Sequence, residues 1–169
     1  MPIQTLDSLL EEELKDLYDA EKRLVKALPK MAKAAGDDEL KTAFQNHLSQ
    51  TRSQVERLDE VFALLELKPK SKPCEGMKGL ISEGEEAMEE DAAAPISDVM
   101  LITAAQKVEH YEISAYGTLK AIAEQMGEDG VVRLLDKTLA EEEEADQKLT
   151  EICQRLLGEA RQSEEEEAA

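Results

Sequence analysis

Three segments of this sequence have apolar residues at helical spacing, and each carries acidic residues in the middle of its apolar stripe. Residues three and four positions apart share one face of an α-helix, so these acids face the same way as the leucines around them. A carboxylate buried among apolar side chains is costly unless it is paired, protonated or bound to a cation. The pattern therefore indicates a metal site among packed helices. The stripes contain Leu10, Leu14, Leu17, Glu21, Leu24, Leu28 and Met31; Ala105, Glu109, Glu112, Tyr116 and Leu119; and Leu135, Leu139, Glu142, Asp146, Leu149, Cys153 and Leu156.

The composition favours one all-helical domain and argues against several classes of function. Leu, Ala, Glu and Lys dominate the 169 residues, and no sustained alternation of apolar and polar residues predicts a strand. The formal net charge of −19 repels nucleic acid and anionic membrane surfaces and attracts cations. Most of that charge is what solvated, Glu-rich helix surfaces carry in any case. We therefore expect divalent cations as partners, and neither nucleic acid nor a membrane.

Several features of the sequence predict a cytoplasmic protein with free thiols. Cys74 and Cys153 fit no metal or redox spacing. The N-terminus has no basic segment followed by an apolar one, and no run is apolar enough to span a bilayer. A reducing compartment is the default for such a chain.

Helix-start and helix-stop residues predict four long helices and one short one. The first begins after Thr5 or Asp7 and ends near Ala35, with Pro29 expected to kink it or break it near Lys26. The others are expected at about 38–67, at 77–88 (the short helix), from Ser97 as N-cap to about Gly127, and from Asp129 to Leu157, where Gly158 ends the last helix. Residues 1–160 form the predicted domain, and residues 161–169 an acidic, disordered tail.

The predicted connections specify the topology. Two of the junctions are only a few residues long, which predicts two antiparallel helical hairpins. The connection between the hairpins is about 30 residues long, which favours a crossover along the bundle, as in ferritin-like folds. The alternative is an up-and-down bundle with a decorated loop. The hairpin registers place Glu21 beside Thr51 to Gln54 and Glu109 beside Glu142 and Asp146, and both Gln54 and Glu142 follow the acid of the preceding helix by 33 residues. The same register predicts a salt bridge between Asp16 and Arg57.

Four segments resemble the bacterial YciF/YciE family of ferritin-like proteins, and together they cover nearly the whole chain except the tail. The resemblance implies a ferritin-like bundle, a homodimer, a carboxylate site for one or two metals and an association with stress responses, without a settled reaction. The segments are DLYDAEKRLVKALPKMAKAA (Asp16–Ala35), AFQNHLSQTRSQVERLDEVF (Ala43–Phe62), LITAAQKVEHYEISAYGTLKAIAEQMG (Leu101–Gly127) and LLDKTLAEEEEADQKLTEI (Leu134–Ile152).

The resemblance also implies a set of metal ligands. Di-iron bundles take one Glu from each of two helices and a Glu-x-x-His pair from each of the other two. Glu21 and Glu109 match the single acids, Glu142 and Asp146 stand for one pair, and Glu112 is an additional ligand. The second helix departs from the pattern, because it has no inward Glu and the chain contains no Glu-x-x-His. Its weaker candidates are His47, Gln50, which stands where relatives carry Glu, and Gln54.

Two functions remain open from the sequence. The first is binding of one or two divalent metals, Fe or Mn, with protective chemistry towards O₂ or peroxide; an oxygen-rich site suits Mg²⁺ or Ca²⁺ as well. Tyr116 is then the best candidate to hydrogen-bond a ligating carboxylate. The second is a metal-free structural or interaction protein that forms a helical dimer, for which Ile102, Ile113 and Ile122 offer apolar surface.

Overall fold

The computed structural model describes residues 3–168, which fold into five α-helices without a strand in that range. The prediction of an all-helical protein is therefore confirmed. The helices are α1 (Leu6–Ala34), α2 (Asp38–Leu64), α3 (Glu75–Glu89), α4 (Ile96–Met126) and α5 (Asp129–Glu167).

Local capping residues set several of the helix ends. The Thr5 side chain accepts a hydrogen bond from the Ser8 amide at 3.1 Å, and Ser8 reciprocates, so that a capping box begins α1. Asp37 begins α2 by accepting from the Leu40 amide at 2.9 Å. Gly127 ends α4 in the left-handed conformation, at φ 75°, where a side chain would be strained.

Two predicted helix boundaries are wrong, and Pro29 does not break the first helix. Helix α1 continues to Ala34 with Leu28 and Met31 buried, because packing of these side chains outweighs the missing backbone hydrogen bond; a kink at Pro29 stays a prediction. Ser97 lies inside α4, which begins one residue earlier. Gly158 does not end α5, because a helical Gly costs only about 1 kcal/mol and Ala160 beyond it is still buried.

The acidic tail begins as a continuation of α5. The helix includes residues 161–167, and the described side chains of this segment are exposed. Ala169 lies outside the described residues. The division of the chain at residue 160, and the disorder of the tail in solution, remain predictions.

The directions of the long helices confirm the ferritin-like crossover. Helix α5 packs against both α2 and α4. Along the hydrogen bonds between them, the residue numbers of α5 fall as those of α2 and of α4 rise. Both partners are therefore antiparallel to α5 and parallel to each other, which excludes an up-and-down bundle. Helix α1 packs against α2 and α4, and α3, which lies in the crossover, packs on α1 and α4. The contacts that fix the directions are Gln106–Thr150 and Lys120–Asp136 between α4 and α5, and Asp37–Arg155 and Gln54–Glu142 between α2 and α5.

The isoleucines that the sequence offered as dimer contacts belong largely to the core. Ile102 is fully buried, Ile122 is 8% exposed, and Ile113 is half-buried. Helix α4, which carries all three isoleucines, contacts α1, α3 and α5, so its apolar face is wider than a single stripe. The expectation of a homodimer therefore loses its support from these residues and rests on the resemblance. No helix in residues 3–168 has an apolar stretch sufficient to cross a bilayer.

Candidate metal centre

A layer of polar side chains crosses the middle of the bundle core, and all four long helices contribute to it. We call Glu21, Glu109, Glu112 and Glu142 the carboxylate layer; they come from α1, α4, α4 and α5, and none is more than 3% exposed. His47 and Gln54 of α2 lie beside these acids and are also buried. Six polar side chains thus have almost no contact with bulk water.

The acids face inward because buried apolar residues lie before and after them on the same face of each helix. On α1, Leu17 and Leu24 lie one turn before and one turn after Glu21, and both are buried. On α4, the buried Ala105 lies one turn before Glu109, and the buried Leu119 lies two turns after Glu112. The apolar residues fix the rotation of each helix, and the acids between them have to share the buried face.

Four side chains of this level converge on one point. One potential ligand atom from each of His47, Glu109, Glu112 and Glu142 lies within 4.8 Å of all the others. His47 Nε2 is 3.5 Å from Glu109 Oε1 and 3.7 Å from Glu142 Oε2. Ligand atoms at about 2.0–2.3 Å from one ion are at most roughly 4.6 Å apart. The group is therefore close to the size that a single bound ion requires.

Eight buried side-chain atoms in and beside the carboxylate layer have no hydrogen-bond partner within the described residues. Such atoms are rare in native proteins, because each costs about 1–3 kcal/mol. Their concentration at one level fits a group of ligands that face a cation. The atoms are Glu21 Oε2, His47 Nδ1 and Nε2, Gln54 Oε1, Glu109 Oε2, Glu112 Oε1 and Oε2, and Glu142 Oε2.

The carboxylates cannot all carry charge without a cation. Burial, and then the negative charge of Glu142, raise the pKa of Glu109 and of Glu112 well above the usual range. The same two causes raise the pKa of Glu21 to about 8, although a hydrogen bond from Tyr116 opposes the shift. The layer therefore holds protons in the absence of metal at neutral pH.

Neighbouring polar groups orient the carboxylates. Tyr116 is fully buried and donates its hydroxyl hydrogen to Glu21 Oε1, so the prediction that it hydrogen-bonds a carboxylate of the centre is confirmed. Gln54 donates its amide to Glu142 Oε1 and, at 3.1 Å, to Glu141 Oε2. Each bond leaves the second oxygen of Glu21 or Glu142 free to face a cation.

Arg57 is the residue of this region that sequence reasoning misplaced. The predicted salt bridge with Asp16 is wrong: Arg57 donates two bonds of 3.0 Å to Glu141 and a third to Thr138. Asp16 instead accepts from the Tyr111 hydroxyl at 2.9 Å. Arg57 lies three residues beyond Gln54, so both side chains are on the face of α2 that points to α5. This spacing, which is visible in the sequence, could have placed Arg57 correctly.

The structure brings some predicted ligands together and leaves others at the edge. Six of the predicted ligands lie in the centre, namely Glu21, Glu109, Glu112, Glu142, His47 and Gln54. The Asp146 carboxylate lies at the edge, where it accepts a hydrogen bond from Gln106 at 3.0 Å and lies 3.2 Å from His110 Nε2. Asp146 is also 23% exposed. Gln50 is half-buried and lines a groove outside the layer. The role of each as a ligand remains a prediction.

An open groove leads from the surface to the centre. It lies between α2 and α5, has a volume of about 630 Å³, and is lined by His47, Gln50, Glu109, Glu144 and Lys148 among others. Because His47 and Glu109 also belong to the converging group, ions and small molecules have a path to it.

Comparison with known proteins places the chain in a family. A family model described as a domain of unknown function, DUF892, matches residues 5–162. The protein YciF of Escherichia coli is 44% identical over 154 residues, which are 90% of this chain and 93% of YciF. The chain belongs to this family. The resemblance to YciF drawn from the sequence is thereby confirmed.

Solved structures of similar proteins agree with the fold. The crystal structure of the E. coli stress protein YciF matches with a TM-score of 0.90 and 42% identity, over 92% of this chain and 99% of that one. YcfI of Rhodopseudomonas palustris matches with a TM-score of 0.85 and 44% identity, over 88% and 94% of the two chains. A protein of Xanthomonas campestris, 20% identical over 95% of this chain and 99% of its own, shares the fold with a TM-score of 0.74. The family model names no reaction, so function has to be inferred from the centre.

Proposed function

We propose that this protein binds a divalent cation, Fe or Mn, in the carboxylate layer. His47, Glu109, Glu112 and Glu142 are the proposed ligands, and Glu21 lies beside them as a further acid. One observation carries the proposal: buried ligand atoms from all four of these residues converge within 4.8 Å, and each residue has at least one atom without a hydrogen-bond partner. A cation would satisfy these atoms and neutralise the acids together.

The mixture of ligand atoms favours Fe or Mn over other common cations. Carboxylate oxygens alone suit Mg²⁺, Ca²⁺ and Mn²⁺, whereas an imidazole nitrogen suits iron and other transition metals. His47 supplies one nitrogen among several oxygens. A site without thiolates and with a single His is a poor match for structural zinc.

The proposal extends to protective chemistry with O₂ or peroxide, in keeping with the description of the E. coli relative as a stress protein. A bound redox metal would supply the electron transfer. The protein's own residues have simpler tasks: the carboxylates hold and neutralise the cation, Tyr116 orients Glu21, and the groove over His47 admits small molecules.

Thermal unfolding tests the proposed metal binding. Mn²⁺ added to chelator-treated protein at about 100 times its dissociation constant should add about 2.7 kcal/mol of stability. In a chain of this size that raises the Tm by roughly 5–10 °C. Glu109→Ala and Glu142→Ala should abolish the rise. Glu143→Ala removes an exposed acid next to Glu142 and is the matched control, which should keep the rise.

A second candidate function is that of a metal-free structural or interaction protein. Its support is the α2 side of the centre, where Gln54 donates a hydrogen bond to Glu142 and Arg57 donates two to Glu141, so that protein groups themselves hold these acids in place. If Mn²⁺ and Fe²⁺ leave the Tm of the wild type unchanged, and the protein stays folded in chelator, this second function replaces the first.

A homodimer in the cytoplasm completes the proposal. The assembly rests on the YciF/YciE resemblance, and light scattering at micromolar concentration should return twice the mass of the 18.8 kDa chain. Added salt should tighten the association, because it screens the repulsion between two chains of net charge −19. A monomer mass would contradict the dimer without affecting the metal site.

A further inference from the structure

The two hairpins of the bundle have matching positions in the centre but different chemistry at them. Gln54 follows Glu21 by 33 residues, and Glu142 follows Glu109 by the same number. Di-iron bundles carry a Glu-x-x-His pair at such positions in both hairpins. In this chain α2 instead carries Gln54 and, three residues later, Arg57. An amide and a guanidinium stand where the pattern has a carboxylate and an imidazole.

The contacts of Arg57 show a cation built into this half of the centre. Its side chain is 8% exposed, and both of its terminal nitrogens bond the Glu141 carboxylate at 3.0 Å. A third bond joins it to Thr138, which is 1% exposed. A guanidinium stays charged at every physiological pH and has no lone pair to offer a metal.

The other half of the centre has the opposite character. His47, Glu109, Glu112 and Glu142 converge there without an internal cation, and each has an unpartnered buried atom. On the Arg57 side, Glu21 is the one acid of the carboxylate layer that does not belong to this converging group. One of its oxygens is already bonded by Tyr116. A second metal ion there would find one free carboxylate oxygen, of Glu21, one free amide oxygen, of Gln54, and a buried guanidinium.

We infer that each chain binds one metal ion, in the His47–Glu109–Glu112–Glu142 half, and that Arg57 with Gln54 replaces the second ion of a two-metal centre. The inference rests on the proposed metal binding and specifies its stoichiometry. Arg57 and Glu141 form an ion pair that occupies this half without adding net charge, so the His47–Glu109–Glu112–Glu142 group is the one left to take a cation.

Titration calorimetry and elemental analysis of the full chain with Mn²⁺ test the stoichiometry. The wild type should bind one Mn²⁺ per chain. The double variant Gln54→Glu/Arg57→His restores Glu-x-x-His on the inward face of α2 and should bind two, with the paramagnetic resonance spectrum of a coupled Mn²⁺ pair. The matched control Ser53→Glu/Glu56→His places the same motif on the exposed face of α2 and should still bind one.

The results would distinguish a failure of the one-ion stoichiometry from a failure of metal binding itself. No bound Mn²⁺ in the wild type would overturn the proposed function and the inference with it. Two bound ions in the wild type would overturn the inference alone. So would a single ion in a folded double variant, because Gln54 and Arg57 would then not set the number.

A second variant covers the case in which the double variant fails to fold, as circular dichroism would reveal. Gln54→Glu alone keeps Arg57, and the new carboxylate has the guanidinium beside it. This variant should still bind one Mn²⁺ per chain. Two ions bound with Arg57 in place would overturn the role of the guanidinium.

Discussion

The apolar layers of the bundle core and the carboxylate layer between them meet the cost of burial in different ways. In the apolar layers, side chains such as Leu14 and Phe62 are fully buried and gain stability from contact alone. In the carboxylate layer, Glu112 is equally buried, yet no donor among residues 3–168 reaches either of its oxygens. The first kind of layer stabilises the fold under all conditions, whereas the second lowers stability unless a cation satisfies its ligand atoms, and protons only reduce that cost.

The apolar side chains of a helix can offset the cost of burying an acid on the same helix. A fully buried Leu contributes about 1.5–3 kcal/mol, and an unpartnered polar group costs a similar amount. Helix α1 buries Leu10, Leu14, Leu17 and Leu24 along with one acid, Glu21. The leucines thus offset the acid, and the bundle tolerates a site that is unfavourable when no ligand is bound.

The largest change in the free energy of unfolding is expected from a substitution in the apolar layers. Phe62 is fully buried, and its ring meets the Tyr18 ring edge-on at 5.5 Å between centroids. Phe62→Ala should lower the free energy of unfolding by about 3–5 kcal/mol, in chelator as well as in Mn²⁺, as measured by urea denaturation. Leu64→Ala, at a position 52% exposed, should cost under about 0.5 kcal/mol. A Phe62 variant that lost less than about 1 kcal/mol would remove the distinction between the layers.

The next effect is a pH dependence that belongs to the carboxylate layer. Burial and the charge of Glu142 raise the pKa of Glu21 from 4.5 to about 8, so the folded state binds a proton more tightly than the unfolded state. The stability of the metal-free protein should therefore be full below about pH 4.5 and fall by about 2 kcal/mol or more as pH rises to 8. Chemical denaturation across this range measures the fall.

A pair of variants separates this layer from the general acidity of the chain. Glu21→Gln cannot titrate, so its stability should fall less steeply between pH 4.5 and 8. Glu124→Gln removes an exposed acid and should keep the slope of the wild type. Equal slopes in all three proteins would assign the pH dependence to surface repulsion instead.

A smaller change in stability, and a gain instead of a loss, is expected from removing an acid of the carboxylate layer. Glu112→Leu replaces a buried acid without partners by an apolar residue of similar size, and in chelator it should stabilise the protein by about 1–2 kcal/mol. The same variant should lose the Mn²⁺-dependent rise in Tm. Glu124→Leu, at an exposed position of the same helix, should keep that rise. Strong destabilisation of Glu112→Leu in chelator would mean that the layer stabilises the fold even when metal-free.

The smallest effect is expected at the surface. Lys148 lies 2.6 Å from Glu39 across the rim of the groove, and both side chains are nearly half exposed. Exposed pairs of this kind add little to stability, since water and salt screen them. Lys148→Ala should leave the urea midpoint unchanged within error. A clear loss of stability would show that the groove contributes to the fold as well as to access.

Much of the fold and part of the centre could be predicted from the sequence, because the relevant signals are local or depend only on chain length. Capping at Thr5 and Asp37 begins α1 and α2 as expected. The short and long connections specify which helices are antiparallel and which pair is parallel. Helical periodicity placed Glu21, Glu109, Glu112 and Glu142 on buried faces, where the structure has them.

The tertiary structure decided what depends on the rotation of each helix and on its neighbours. Helical spacing already put His47 and Gln54 in phase with the buried apolar residues of α2, but only packing against α5 determined that Arg57 bonds Glu141 and Thr138 and that Gln50 lines the groove. Packing likewise carried α1 past Pro29 and α5 past Gly158, where local preferences predicted a disruption. Side chains a turn apart on one helix point within a few tens of degrees of each other, so the sequence determines which face is buried. Which atoms meet at its middle depends on small rotations that only the contacts between helices fix.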